Sequence, residues 1–159
     1  MSEFPRALKI ATVWLLIGVA VFLGFQTFEA RQQQARVSLS GAAIELRRSA
    51  DGHFHWPGEV NGLRVDFLVD TGATATALPG ALAERAGLEL HAGVTSSTAG
   101  GVVRGHLARA DIVLAGGVRA DRLPVTVLPD LGAPLLGMDV LGRLRFTQEA
   151  GVLRISAPN

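Results

Sequence analysis

Cysteine is absent from the 159 residues, and lysine occurs once, at Lys9. The first absence excludes disulfides, thiol nucleophiles and cysteine-based metal sites, and leaves the redox compartment open. The second makes arginine the basic residue almost everywhere, which reads as genome composition rather than function. A net charge of +1 without any Lys/Arg cluster gives no electrostatic footprint for nucleic acid. No serine stands in a Gly-x-Ser-x-Gly elbow. No glycine-rich stretch carries the Lys-Ser/Thr partner of a phosphate loop. What remains is a chain 48% hydrophobic with 19 glycines. That is too apolar for disorder and too glycine-rich for a helical bundle. Its length allows one domain and a short additional segment.

The apolar residues are concentrated at one end. Ile10 to Phe25 is sixteen residues without a charge. A helix crossing the hydrocarbon core needs about 20 residues. Ala7, Leu8 and Gln26 to Phe28 extend the run, and Lys9 can snorkel. A cleaved signal peptide competes, with Arg6 and Lys9 as its basic start. Its candidate site, Phe28-Glu29-Ala30, puts a bulky ring where a small residue is required. Residues 1–28 therefore read as a transmembrane anchor. Arg6 and Lys9 before it nearly balance Arg31 and Arg36 after it, so flanking charge does not set the orientation.

Residues 29–50 are polar and then mixed, the texture of a stalk. From Asp51 to residue 159 the chain changes to short apolar runs divided by Gly, Pro and Asp, which predicts an all-β domain. From Ser38 onward 11 Arg face 12 Asp and Glu, so this part is close to neutral. His53 to Trp56 alternates and is broken by Pro57-Gly58. Asn61-Gly62 predicts a type I′ hairpin turn into Leu63–Val69, whose Val65, Phe67 and Val69 share one face. Pro79 to Ala86 predicts a short helix with proline at its start and Gly87 past its end. Strands follow at Leu107–Leu114 and Leu123–Leu128 around a Gly116-Gly117 turn. Leu135-Leu136 is a short buried run, Met138–Leu144 a short helix and Val152–Ile155 a closing strand.

The chemistry lies in Leu68-Val69-Asp70-Thr71-Gly72-Ala73. An isolated Asp-Thr-Gly at a strand end is as well explained by a turn cap. Here apolar strand residues precede it, small residues follow it, and Leu135-Leu136-Gly137 comes later. Val69 to Ala73 followed by Leu135 to Met138 resembles the active-site and hydrophobic-hydrophobic-Gly signatures of retropepsin-like aspartic peptidases. Pro79–Ala86 with Gly87-Leu88, and Thr98-Ala99-Gly100-Gly101, are similar to the helix and glycine-containing flap of the bacterial single-span branch. The resemblance covers roughly residues 53 to 156.

That resemblance implies a half-pepsin closed barrel with one or two short helices behind the anchor. It implies catalysis by Asp70, Thr71 and Gly72, with Ala73, Leu135, Leu136 and Gly137 supporting the site. Ala99, Gly100, Gly101 and Val102 would form the substrate-covering flap. No cofactor or metal is required. Metal-free peptide hydrolysis needs one carboxylate to activate water and one carboxylic acid to polarise the carbonyl. Two carboxyls at about 3 Å do both, because like charges that close cannot both ionise. Thr71 would supply hydroxyl hydrogen bonds between the two loops, and Gly72 a free backbone N–H near the carboxylate.

The second aspartate is not in the chain. Asp130-Leu131-Gly132 has no hydroxyl at its centre and reads as the turn into Leu135-Leu136, while Asp139 reads as a helix cap. One aspartate per chain implies a homodimer with Asp70 from each subunit at a two-fold axis. The expected protein is a single-pass inner-membrane peptidase with its domain on the periplasmic side, acting on peptide or protein substrates. One rival is a catalytically silent dimerisation or peptide-binding module of the same fold. The other is a metal protein using His53 and His55, two apart on a strand and without an evident third ligand.

Overall fold

The computed structural model describes residues 10, 12–24, 37–40, 43–98 and 101–156. The chain divides into two compact units, Met1–Ala35 and Arg36–Asn159. In the first, residues 10 and 12–24 are helical. Among the described residues no helix is long and apolar enough to cross a membrane. Ala11 and Phe25 of the expected span, and Ala7, Leu8 and Gln26 to Phe28 that extend it, lie outside the described residues.

The second unit is all-β with two short helices. It begins with β1 (Val37–Ser40), β2 (Ala43–Arg47), β3 (His55–Val60) and β4 (Leu63–Val69). Next come β5 (Ala77–Pro79), helix α1 (Gly80–Arg85), β6 (Gly93–Thr98), β7 (Gly101–Leu114) and β8 (Arg119–Leu128). The chain continues through β9 (Leu135–Leu136), helix α2 (Met138–Leu141), β10 (Arg145–Glu149) and β11 (Val152–Ser156). Strands β3-β4-β9-β5-β8-β7 follow one another in a sheet that closes by pairing β3 with β7, and β6 continues outward from β7. A second sheet has the order β1-β2-β11-β10.

The hairpin of β3 and β4 turns through Asn61 (φ 49) and Gly62 (φ 80), as the Asn-Gly pair predicts. Pro57-Gly58, expected to break the preceding strand, lies inside β3 instead. The Val69 N–H to Phe54 carbonyl bond of 2.9 Å sets the ladder alternation, which places Pro57 opposite Asp66 at a position that needs no N–H toward β4. On the other side the β7 ladder starts only at Gly58, opposite Leu114. A Cβ on Gly58 would stand 2.7 Å from the Val113 carbonyl oxygen. The residue read as a breaker is the one that lets β3 and β7 close the barrel.

Residues 29–50, expected to be stalk, need a second correction. Residues 29–36 and 41–42 lie outside the described ones, but 37–40 and 43–47 are strands. β2 pairs antiparallel with β11, Ala43 opposite Ser156 and Arg47 opposite Val152. Ile44 and Leu46 are buried there with Leu153 and Ile155. The alternation Ala-Ile-Glu-Leu-Arg is a half-buried strand, and its short length hid it among polar neighbours.

Trp56, Val60, Phe67, Leu78, Ile112, Val125, Leu136 and Leu141 form the centre of one hydrophobic cluster, each at most 3% exposed. The Trp56 indole N–H donates to the Ala115 carbonyl at 2.9 Å, so burial leaves no donor unmet. Trp56→Ala should lower the unfolding free energy by about 3–5 kcal/mol, as deletion of a fully buried ring does. Urea denaturation checks this, and a loss under about 1 kcal/mol would place the centre of the core elsewhere.

Candidate active site

Asp70 follows the last residue of β4, and the short strand β9 fixes its position. β9 runs parallel to β4, with Leu68 opposite Leu135 and Val69 opposite Leu136, and touches β5 where Ala77 faces Leu135. The Leu68 N–H donates to the Pro134 carbonyl at 2.9 Å and the Asp70 N–H to the Leu136 carbonyl at 3.0 Å. With the Val69 N–H bound to the Phe54 carbonyl at 2.9 Å on the opposite edge, both sides of this strand end are hydrogen-bonded before any side chain acts. The apolar run Leu135-Leu136, with Leu136 fully buried, supplies the packing that holds it there.

Beyond Asp70 the chain turns sharply. The Ala73 N–H returns to the Asp70 carbonyl at 3.2 Å, and the Gly72 N–H donates to Asp70 Oδ1 at 2.8 Å. That amide orients one carboxylate oxygen, and a Cβ on Gly72 would lie 3.2 Å from the same oxygen. Thr71 and Gly72 are exposed, and Asp70 and Ala73 half-buried, at the tip of a loop with a hydrogen-bonded base.

The base is a polar network under the loop. Thr76 is buried, donating through its hydroxyl to Asp139 Oδ1 at 2.9 Å and through its backbone N–H to Asp139 Oδ2 at 3.0 Å. The same hydroxyl accepts from the Gly137 N–H at 3.3 Å. Opposite them, the Met138 N–H donates to the Ala73 carbonyl at 2.8 Å and the Asp139 N–H to the Thr74 carbonyl at 3.2 Å. Four consecutive residues of the Asp70 loop, Ala73 to Thr76, thus meet the start of α2. Gly137 has to be glycine at this crossing, because a Cβ would stand 2.5 Å from the Ala75 carbonyl carbon.

Asp139 differs from its expected role. Gly137 occupies the N-cap, and Asp139 lies inside the first turn with both oxygens directed at Thr76. Thr76 was missed in the sequence. In Ala73-Thr74-Ala75-Thr76-Ala77 only the backbone turn distinguishes the buried threonine from the exposed one. Asp130 lies in the turn after β8, as expected.

Of the expected flap residues, Ala99 and Gly100 lie outside the described ones. Gly101 and Val102 open β7 opposite Thr98 and Ser97 of β6, in a two-stranded arm beyond the barrel. Val102 is 73% exposed.

His53 and His55 gather around Asp51. His55 Nε2 is 2.7 Å from Asp51 Oδ2, and its Nδ1 is 3.5 Å from Asp66 Oδ2. Among the described residues no group of three or more His, Cys, Asp or Glu side chains is arranged to hold a metal ion. The His53 N–H donates to Asp51 Oδ1 at 3.0 Å, and this bond, followed by the one from His55, holds the Asp51 carboxyl below its ordinary 3.8.

Thr76→Val removes a hydroxyl with one donor and one acceptor role and leaves the Gly137 N–H buried, which should cost about 1–3 kcal/mol in urea unfolding. An unchanged midpoint would mean that the hydroxyl ties nothing. Folded Asp51 takes up its proton less readily than unfolded Asp51, so its contribution is present above the ordinary value and disappears as pH falls through the lowered one. The difference in unfolding midpoint between wild type and Asp51→Asn should therefore shrink as pH drops below 3.8. A difference that widened there would contradict the hydrogen-bond assignment.

Residues 56–143 match the family model described as "gag-polyprotein putative aspartyl protease". An uncharacterized protein of Rickettsia prowazekii, RP867, is 30% identical over 101 residues, or 57% of this chain and 44% of that protein. The chain thus spans under half the length of this curated relative. Among solved structures, a retropepsin-like aspartic protease from Rickettsia conorii is 26% identical with a TM-score of 0.58. That match covers 76% of this chain and 95% of the other. The EIAV protease, solved with the inhibitor HBY-793, is 21% identical with a TM-score of 0.48, over 59% of this chain and 89% of that one. The matched residues run from the β3 tryptophan to the end of α2 and enclose the Asp70 loop and its brace, and by that match the chain belongs to the gag-polyprotein type of retropepsin-like aspartyl proteases.

Proposed function

We propose that this chain is a membrane-anchored aspartic endopeptidase whose active form is a homodimer with one Asp70 from each subunit. The observation that carries the reading is the hold on Asp70: its own N–H bound to β9, and one carboxylate oxygen bound by Gly72. The Gly72 bond alone would be an ordinary Asx turn; what a turn cap leaves unexplained is the second segment, Leu136 to Asp139, that binds the Asp70 N–H and braces the loop from beneath.

In the dimer, two Asp70 carboxyls share a proton. The ionised one takes a proton from water, and the neutral one donates to the carbonyl oxygen of the scissile bond. Water adds to the carbonyl carbon to give a gem-diol. The carboxyl that took the water proton then passes it to the nitrogen, and a diol hydroxyl returns its proton to the other carboxylate. The C–N bond breaks to leave an amine and a carboxylic acid. Thr71 and Gly72 position the carboxyls, Ala73 and Leu135 to Gly137 support them, and the β6–β7 arm covers an extended substrate strand. The uncharged run from Ile10 to Phe25 supports a single membrane span, and the proposal puts the domain on the periplasmic side. Tethering raises the local concentration of partner subunits.

Incubating the full chain in mild detergent with a mixed peptide library from about pH 4 to about pH 7 tests the reading. Cleavage should resist chelator and fall by about a thousandfold or more in Asp70→Asn, which keeps the shape and removes the carboxylate. Cleavage that survives Asp70→Asn would overturn the role of Asp70. A folded, dimeric wild type that cleaves nothing would point to a silent peptide-binding module.

A further inference from the structure

A cleft of about 540 Å³ lies between the Asn61-Gly62 turn, the segment that follows α1, and strands β7 and β8. Its polar lining is Asn61, Glu89, His91, Arg109, Asp111 and Arg122. Asn61 and Asp70 stand at opposite ends of the seven-residue strand β4, roughly 20 Å apart along it. The cleft is therefore separate from the candidate active site.

Three non-glycine residues among the described ones have a left-handed backbone, and two of them, Asn61 (φ 49) and Arg122 (φ 48), line this cleft. For Asn61 the Asn-Gly turn requires it. Arg122 lies inside β8 instead. Ala110 faces Leu123 and Ile112 faces Ala120, so Asp121 and Arg122 together oppose Asp111. That is a bulge, and its left-handed position ordinarily belongs to glycine. An arginine there is strained, and polar contacts hold it. Asp111 Oδ1 accepts the Arg122 N–H at 2.7 Å, and Arg109 Nη1 donates to the Arg122 carbonyl at 3.3 Å. Asp111 is fixed in turn by Asn61, whose Oδ1 accepts the Asp111 N–H and whose own N–H donates to the Asp111 carbonyl, each at 2.9 Å. Asn61 Nδ2 donates to the Ala86 carbonyl at the end of α1, at 3.2 Å.

The fold gains nothing polar from the Arg122 side chain itself. Among the described residues it makes no hydrogen bond or ion pair, and Arg109 makes no ion pair. Bulges re-aim side chains beside functional sites, and backbone strain collects at the same places. Two arginine forks at one cleft suit the planar, two-oxygen geometry of a carboxylate. Glu89 and Asp111 line the cleft as well, so it opposes a polyanion and admits one negative group.

We propose that this cleft binds a single carboxylate of a peptide, either its C-terminus or an acidic side chain, and that the β8 bulge presents Arg122 to it. Asn61, through Asp111, is the positioning residue that keeps the bulge in place. The site does not depend on the peptidase reading, because no part of it touches the Asp70 loop.

Fluorescence anisotropy on the full chain in mild detergent tests this, with Asp70→Asn present so that no probe is cleaved. The probe is a short glycine-serine peptide with a neutral dye, made in three forms. One has a central Glu and a blocked C-terminus, one a central Gln and a blocked C-terminus, and one the Gln with its C-terminus free. The Glu form or the free-terminus form should bind about tenfold or more tighter than the blocked Gln form, and whichever does so identifies the source of the carboxylate. Arg122→Gly should remove that preference while the urea midpoint stays level or rises, because glycine takes the left-handed bulge without strain. Equal binding of the three forms overturns the proposal, and so does a preference that survives Arg122→Gly. A lower midpoint in Arg122→Gly would make the arginine structural and overturn it too. None of these failures alters the role of Asp70, which cleavage alone decides.

Discussion

Asp139 reaches back 63 positions to hold Thr76 by both its hydroxyl and its backbone amide. A carboxylate in a half-buried place is unfavourable unless its oxygens find donors, and here the donors belong to the segment that must be fixed. The contact satisfies the buried threonine, orients the start of α2 and lets Gly137 cross beneath the loop at a distance no side chain would allow. If the tie is removed, Thr76 loses its partners, and Ala73, Thr74 and Asp70 are left to the backbone bonds from Met138 and Asp139 and to Leu136.

The barrel gives that tie its leverage. β9 has two residues, yet it is the middle strand between β4 and β5 and pairs in parallel with one and antiparallel with the other. So short a strand has little stability of its own and is held by what flanks it: buried Leu136 below and the α2 network after it. The closing seam depends in turn on Gly58, where β3 and β7 come too close for a Cβ. Local choices of small residues thus set where large ones can pack.

Much of this was legible in the sequence because its signals are local. Asn61-Gly62 marks its turn, Pro79 and Gly87 bracket α1, and Asp70-Thr71-Gly72 with Leu135-Leu136-Gly137 marks the two pieces that meet. What was misread depends on partners far along the chain. Pro57-Gly58 looks like a breaker until β7 is known to join at Gly58. Ala43–Arg47 looks like stalk until β11 arrives to cover Ile44 and Leu46. Thr76 and Asp139 are ordinary turn and helix residues to any local rule, and only the crossing of two loops makes them a pair.

The pairing of β2 with β11 also bears on when this protein can work. Arg47 is synthesised early and its partner Val152 more than a hundred residues later, so the second sheet stays incomplete until β11 has left the ribosome. Pairings this distant along the chain form late and slowly. The hairpin of β10 and β11 also emerges only then, after the Asp70 loop and its brace. A nascent chain therefore carries the Asp70 loop and its brace before it has the sheet that completes its fold, and the order of synthesis sets a delay between the two.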